Sequence, residues 1–182
     1  MKPVIAIVGR PNVGKSTFFN KVAGRKISIT ENRPGVKRDR ITVDCEWRAR
    51  PFTLIDTGGI ELKSEDTMWK EIAVQAKAAV ELADVILFFT DGREGLTSSD
   101  YDVADYLRRS KKPVVLVVNK VDEYSPDKLF EFYSLGLGEP YAVSSEHSRG
   151  IGDVLDTAVE FLPKGESAED GSLKIAVVGK PN

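Results

Sequence analysis

Cysteine and histidine are almost absent from the sequence: its 182 residues contain one of each, Cys45 and His147. A single cysteine cannot form an internal disulfide, and a single histidine excludes a zinc site built from several histidines. The same scarcity disfavours catalysis by a nucleophile paired with histidine. No apolar run approaches the roughly 20 residues that cross a bilayer, and the apolar run at the start is too short for a signal peptide. These absences predict a cytoplasmic protein without membrane contact.

Charge of one sign is also lacking, because 26 basic and 28 acidic side chains give a net charge of −2. Such a balance provides no global attraction to nucleic acid or membrane. Hydrophobic residues make up 41% and charged residues 30%, which is typical of a globular chain. The length corresponds to one domain with a small excess.

Short apolar runs alternate with helical patterns along most of the sequence. Strands are predicted at residues 4–8, 41–47, 52–56, 85–90, 113–118 and 141–143, with the second and third joined as a hairpin through residues 48–51. Helices are predicted near residues 16–23, 67–82, 99–109, 127–133 and 152–161. The pattern predicts an α/β fold with a mostly parallel six-stranded sheet and helices on both faces. Ligands then bind beyond the carboxyl ends of the strands.

The end of the sequence repeats its beginning. Residues 5–12, IAIVGRPN, match residues 175–182, IAVVGKPN, with only conservative changes. The segment between the first domain and this repeat is rich in Pro, Gly, Ser and acidic residues and lacks periodicity. We therefore predict a domain at 1–162, a linker at 163–172 and the truncated start of a second, similar domain at 173–182.

Residues 9–16, GRPNVGKS, fit the P-loop pattern GxxxxGK[ST] between a predicted strand and a helix. The glycines allow consecutive backbone N–H groups to point at phosphate oxygens, and the helix that follows adds the positive end of its dipole. Lys15 can reach the terminal phosphates, and the Ser16 hydroxyl is placed to bind Mg²⁺. The motif predicts a P-loop NTPase.

Residues 56–59, DTGG, end the third predicted strand. Asp56 is then positioned to hold Mg²⁺ through water, and the Gly59 N–H can meet a γ-phosphate. The motif is weak alone, but it becomes informative downstream of a P-loop.

Residues 119–122, NKVD, follow the fifth predicted strand. The Asp122 carboxylate can accept hydrogen bonds from N1–H and the 2-amino group of guanine, whereas adenine would leave it unpaired. Asn119 can tie this loop to the base or to the P-loop, and the stem of Lys120 can cover the base. Residues 144–146, SSE, follow the last strand, and their backbone N–H groups can bind the guanine carbonyl oxygen.

The motifs GRPNVGKST, PGVKRDR, DTGG, DGREG, NKVD and YSLGLGEP resemble those of the Der (EngA) GTPases over residues 2–162, and the repeat at 173–182 is similar to the start of their second domain. The resemblance implies a Ras-like GTPase fold, a tandem arrangement of GTPase domains and a role in large ribosomal subunit assembly. It also implies the 50S subunit or its RNA as a partner of the full-length protein.

Three positions refine the mechanism that the resemblance implies. Ile60 stands where many GTPases have a glutamine that orients water, and a hydrophobic residue there requires other means. Asn12 matches the P-loop asparagine of potassium-activated relatives, which helps to bind K⁺; the alternative is that it only stabilises the loop. Lys37 replaces the usual threonine that closes on Mg²⁺, and an ammonium cannot coordinate a cation. Lys37 either contacts phosphate or weakens the switch.

Two functional hypotheses follow. The first is a GTPase that uses Mg²⁺, with Lys15, Asn12 and Gly59 as catalytic residues, Ser16 and Asp56 as Mg²⁺ ligands and Asn12 as a K⁺ ligand. The second is a slow-turnover binding module, regulated by GTP and GDP, that docks on ribosomal particles; NKVD disfavours an adenine-nucleotide kinase. The predicted nucleotide-binding residues are Gly9, Arg10, Pro11, Asn12, Val13, Gly14, Lys15, Ser16, Thr17, Asp56, Thr57, Gly58, Gly59, Ile60, Asn119, Lys120, Asp122, Ser144, Ser145 and Glu146.

Overall fold

Strands and helices alternate along the chain, as the sequence predicts. The structure, a computed structural model, describes residues 2–24, 41–57, 68–122 and 126–163. The strands in these ranges are β1 (Val4–Gly9), β2 (Ile41–Trp47), β3 (Arg50–Asp56), β4 (Val85–Asp91), β5 (Val114–Asn119) and β6 (Pro140–Ala142). The helices are α1 (Lys15–Gly24), α2 (Met68–Leu82), α3 (Ser98–Ser110), α4 (Pro126–Leu129) and α5 (Ile151–Phe161), and a 3₁₀ helix (Phe130–Leu135) follows α4.

The strands form one sheet in the order β2-β3-β1-β4-β5-β6. Only the β2–β3 pair is antiparallel, and the other neighbours run parallel. This arrangement confirms the predicted α/β fold with a mostly parallel six-stranded sheet. Strand β4 is buried along its whole length, as expected for a central strand covered on both faces.

The hydrophobic core has two parts, one on each face of the sheet. Alternation along β1 directs Ile5 and Ile7 to one face, which α1 and α5 cover, and Ala6 and Val8 to the other, which α2 and α3 cover. The fold therefore holds β1 in the interior of the sheet, between β3 and β4, and the loop that follows β1 begins at the carboxyl end of this strand.

The hairpin and the segment before β6 differ in detail from the prediction. Trp47 pairs with Arg50, so the hairpin turn is only Arg48 and Ala49, with φ of 49° and 60°. Glycine or asparagine usually occupies such positions, so the sequence carries no signal for this turn. The predicted helix at 127–133 is instead the short α4 continued by the 3₁₀ helix.

Two further expectations concern membrane-spanning helices and the last residues of the chain. Within the described ranges, no helix has both the length and the apolar character needed to cross a membrane. Residues 164–182 lie outside those ranges, so the linker beyond Pro163 and the truncated second domain stay predictions.

Cys45 is buried in β2, where burial raises the pKa of its thiol to about 11 and keeps it protonated at neutral pH.

Candidate nucleotide-binding site

The carboxyl ends of the parallel strands meet at one edge of the sheet, and the predicted motifs lie there. The strand register pairs Ile7 of β1 with Asp56 of β3, and Asp91 of β4 with Asn119 of β5. Segments far apart in the sequence therefore reach the same edge.

Two glycines of the P-loop have no room for a side chain. Gly9 has a φ of +154°, and a Cβ there would lie 2.4 Å from the carbonyl oxygen of Phe89. Gly14 has a φ of +94°, and a Cβ there would lie 2.1 Å from Nδ2 of Asn119. The loop is thus folded closely against β4 and against the last residue of β5.

Lys15 lies within the concave side of the P-loop. Its side-chain nitrogen donates hydrogen bonds of 2.7 Å to the carbonyl oxygens of Gly9 and Arg10, and the residue is 6% exposed. Burial lowers the pKa of Lys15 to about 8, and the negative charge of Asp56 partly opposes that shift. A buried ammonium beside the start of a helix is suited to binding phosphate.

Ser16 and Asp56 meet although 40 residues separate them. The Ser16 hydroxyl donates a hydrogen bond of 2.9 Å to Oδ2 of Asp56, which is buried. The Thr57 hydroxyl donates to the carbonyl oxygen of Ile7 at 2.5 Å and so holds the end of β3 against β1. Hydroxyl and carboxylate oxygens are ligands that Mg²⁺ accepts, together with water and phosphate oxygens. The pair fits the predicted magnesium site.

The Asn119 side chain joins the P-loop to the loop after β6. Its Nδ2 donates to the carbonyl oxygen of Val13 at 2.7 Å. Its Oδ1 accepts hydrogen bonds from the backbone N–H of Ser145 at 3.0 Å and from the Ser145 hydroxyl at 2.9 Å. Of the two roles that the sequence leaves open for Asn119, the structure contains the contact with the P-loop.

Both carboxylate oxygens of Asp122 have side-chain partners. Oδ1 accepts a hydrogen bond of 2.9 Å from the Ser144 hydroxyl, and Oδ2 accepts one from Nη2 of Arg93. The contact with Arg93 and then that with Ser144 hold the pKa of Asp122 below its usual value. The side chain is therefore ionised at neutral pH, as a carboxylate that reads guanine must be.

Lys120 is held by the end of β4. Its side-chain nitrogen donates to Oδ2 of Asp91 at 2.6 Å. Burial would raise the pKa of Asp91, but hydrogen bonds from Lys120 and from the backbone N–H groups of Arg93 and Glu94 keep it below its usual value. This pairing anchors the Lys120 side chain at the end of β4.

These contacts surround a cavity of about 150 Å³. Its walls come from the P-loop, the NKVD segment and the SSE segment, and they include Thr17, Glu146 and Arg93. Two larger depressions lie elsewhere, one of about 460 Å³ between α2 and α3 and one of about 600 Å³ beside Phe130 and β6. Neither of these is lined by a residue of the P-loop, DTGG, NKVD or SSE segments.

The remaining P-loop residues are divided between core and surface. Val13 is buried in the core, whereas Pro11, Asn12 and Thr17 are exposed. Asn12 has a φ of 65°. Gly58, Gly59, Ile60 and Lys37 lie outside the described residues, so their assignments stay predictions.

Arg10 and Arg93 have contacts that the sequence does not reveal. The Arg10 guanidinium donates to Oδ1 of Asp100 and to Oε2 of Glu94, both at 3.0 Å, so its side chain is directed at the start of α3. Arg93 has no role in the sequence-based prediction beyond its place in the DGREG motif. Both contacts depend on the path of residues 91–97, which no local pattern specifies.

Comparison with known proteins identifies relatives of the chain. A family described as 50S ribosome-binding GTPase matches residues 4–120. The whole chain is 56% identical over 184 residues to GTPase Der of Clostridium tetani and covers 42% of that protein. The chain thus spans less than half the length of the curated relatives it matches. The predicted resemblance to the Der GTPases is confirmed.

Two solved structures of Era are similar in fold. Aquifex aeolicus Era, as a variant bound to GDP·AlF4⁻, has a TM-score of 0.70 and 30% identity, with 91% of this chain and 59% of that chain covered. Era in complex with MgGDPNP and a segment of 16S ribosomal RNA has a TM-score of 0.68 and 28% identity, with 95% and 61% covered. These similarities confirm the predicted GTPase fold.

Proposed function

Because the chain belongs to the family of 50S ribosome-binding GTPases, we propose that it binds GTP together with Mg²⁺ and hydrolyses GTP to GDP and phosphate. The observation that carries the proposal is the set of hydrogen bonds made by the Asn119 side chain at the end of β5, which joins the P-loop to the segment that follows β6. A phosphate-binding loop and a base-reading carboxylate are thereby fixed relative to each other, as recognition of a whole nucleotide requires.

The phosphates would bind at the P-loop. The first N–H groups of α1 lack partners within the helix, and together with the loop backbone they offer hydrogen-bond donors to phosphate oxygens. Lys15 would exchange its carbonyl partners, Gly9 and Arg10, for terminal phosphate oxygens. Gly59 is the proposed donor to the γ-phosphate. Hydrolysis by water then relies on positioning and on stabilisation of charge.

Ser16 and Asp56 would hold the magnesium ion. The hydroxyl would bind it directly, and the carboxylate would bind it through water. When bound, Mg²⁺ neutralises charge that develops on the phosphate oxygens. The distance of 2.9 Å between the two side-chain oxygens supports their use on one ion.

Specificity for guanine would come from Asp122. Its ionised carboxylate matches the two donors of the guanine edge, and adenine lacks that pair. Ser144, Ser145 and Glu146 would supply backbone N–H groups to the guanine carbonyl oxygen, and the Lys120 stem would cover the base.

The substitution Asp122→Asn tests this assignment. We expect preference to move from guanosine to xanthosine nucleotides, with GTP affinity falling at least about tenfold, because the carboxylate that pairs with the 2-amino group is lost. Titration of GTP, ATP and XTP into the 182-residue chain, combined with phosphate release, measures both binding and turnover.

Asp102→Asn on the exposed surface of α3 is the matched control and should leave all three affinities unchanged. A wild-type chain that prefers ATP would overturn the proposed function. An Asp122→Asn variant that keeps its GTP preference would overturn only the role of Asp122.

Stimulation by potassium is the proposed role of Asn12. This residue is exposed on the P-loop, where a monovalent cation can approach both loop and phosphate. We expect faster GTP hydrolysis in potassium chloride than in sodium chloride at equal ionic strength. Equal rates in the two salts would contradict this role.

A slow-turnover switch is the second candidate, and the lysine at position 37 favours it because an ammonium cannot replace a hydroxyl ligand of Mg²⁺. Tight GTP binding with negligible phosphate release would support this candidate over the first. The proposed partner in either case is a ribosomal particle, the 50S subunit or its RNA, which would place the protein in the cytoplasm. Cosedimentation with purified 50S subunits in GDP and in a non-hydrolysable GTP analogue tests it.

A further inference from the structure

The loop of residues 91–97 holds Arg93 beside the carboxylate of Asp122. Asp91 Oδ1 accepts hydrogen bonds from the backbone N–H groups of Arg93 at 2.9 Å and Glu94 at 3.1 Å. The N–H of Gly92 donates to the carbonyl oxygen of Asn119 at 2.7 Å, which ties this loop to the NKVD segment. These hydrogen bonds therefore fix the backbone position of Arg93.

Arg93 contacts the carboxylate of Asp122, which is the group that the proposed function assigns to guanine binding. Nη2 of Arg93 donates to Oδ2 of Asp122, while Oδ1 accepts from Ser144 and lies 3.8 Å from Nε2 of His147. Arg93 also lines the cavity beside these residues. The charges of Glu146 and Asp91 lie close enough to raise the pKa of Arg93 further, after the larger effect of Asp122 itself.

Arginine and guanine offer a carboxylate the same chemistry. The N1–H and 2-amino group of guanine form a planar pair of N–H donors, and a guanidinium presents an equivalent pair. Guanine paired through both donors would use both oxygens of Asp122, so it would have to displace Arg93 or share Oδ2 with it. We propose, on the basis of the proposed function, that Arg93 competes with guanine for the Asp122 carboxylate. This competition lowers the affinity for guanine nucleotides and speeds their release.

The size of the effect follows from exposure. The Arg93 and Asp122 side chains are 61% and 36% exposed, so water and salt weaken their attraction. We therefore expect Arg93→Ala to bind GDP about two- to fivefold more tightly than the wild type, with slower dissociation. The difference should shrink as salt concentration rises.

The opposite role is chemically reasonable and gives the opposite sign. An arginine that stacked on the base or bonded to it would add affinity, and Arg93→Ala would then bind GDP more weakly. The sign of the change therefore separates a competitor from a nucleotide contact.

The test measures GDP affinity and GDP dissociation for the wild type, Arg93→Ala and Arg109→Ala at low and high salt. Arg109 is the matched control, an exposed arginine of α3 that bonds to Asp105 at 2.6 Å. Tighter GDP binding in Arg93→Ala alone supports the proposal. Equal or weaker binding overturns it.

A second comparison excludes a merely structural effect of the substitution. With Asp122→Asn in place, Arg93 has no carboxylate to occupy, so adding Arg93→Ala should leave XDP affinity unchanged. A gain in XDP affinity equal to the gain in GDP affinity would overturn the proposal. A wild-type chain that does not prefer GDP over ADP would contradict the proposed function as well, whereas guanine preference without tightening contradicts the competitor alone.

Discussion

Asn119 makes three hydrogen bonds from one buried side chain, which is 2% exposed. Two of its partners, the carbonyl oxygen of Val13 and the backbone N–H of Ser145, belong to segments that no regular secondary structure joins. The Gly14 backbone passes so close to Asn119 that no side chain fits between them. One residue therefore sets the distance between the phosphate-binding and base-binding parts of the site.

Asn119→Ala should damage both stability and nucleotide binding. Backbone groups at Val13 and Ser145 would lose their partner within a buried region, which costs about 1–3 kcal/mol of unfolding free energy. We also expect guanine nucleotide affinity to fall at least about tenfold, since the two halves of the site would no longer be fixed.

Urea unfolding and GDP titration measure the two effects of Asn119→Ala, with Asn20→Ala on the exposed side of α1 as the control. A variant with weakened binding but full stability would show that Asn119 acts on the ligand rather than on the loops.

At the scale of elements, the start of α3 is connected to the P-loop through Asp100. One oxygen of this buried carboxylate accepts from the backbone N–H of Thr97 at 2.9 Å, which caps the helix. The other accepts from Nε of Arg10 at 3.0 Å. A helix terminus and a phosphate-binding loop are thus held by the same side chain.

Asp100→Ala should lower the unfolding free energy by about 3–5 kcal/mol, because the substitution removes the cap and leaves the buried Arg10 without its buried carboxylate partner. Chemical unfolding measures the change. Asp102→Ala, two residues further along the same helix and exposed, should change the unfolding free energy by no more than about 0.5 kcal/mol. Similar values for the two variants would exclude a structural role for the Asp100 contact.

For the whole molecule, stability depends on the two cores that enclose the sheet. Phe18 of α1 and Phe89 of β4 are fully buried, and their rings meet edge to face with centroids 5.0 Å apart. This contact packs the helix that begins at the P-loop against the central strand. Loss of the core on this face therefore displaces the site as well.

Phe18→Ala should lower the unfolding free energy by about 3–5 kcal/mol, a large part of the roughly 5–15 kcal/mol that stabilises a domain. Thermal and urea unfolding should both shift strongly. Phe130→Ala removes a ring that is 77% exposed and should leave both transitions nearly unchanged. Equal shifts in the two variants would contradict the assignment of the core.

Local sequence patterns predicted most of the fold and the main motifs. Period-2 and helical patterns placed the strands and helices because each depends on residues a few positions apart. The hairpin turn at Arg48 and Ala49 has no sequence signal because neither residue is typical of positive φ. The sequence predicts one helix before β6 because the change from α4 to a 3₁₀ helix has no clear local signal.

The amino-acid sequence specifies the chemical groups: a P-loop with its lysine and serine, an aspartate at the end of β3 and an aspartate in NKVD. Which of these groups touch depends on the tertiary structure. Ser16 meets Asp56 through the β1–β3 register, Arg10 reaches Asp100 across 90 residues, and Arg93 reaches Asp122. Such pairs depend on how strands align and on where loops turn. Long-range contacts of this kind produce no periodic pattern in the local sequence.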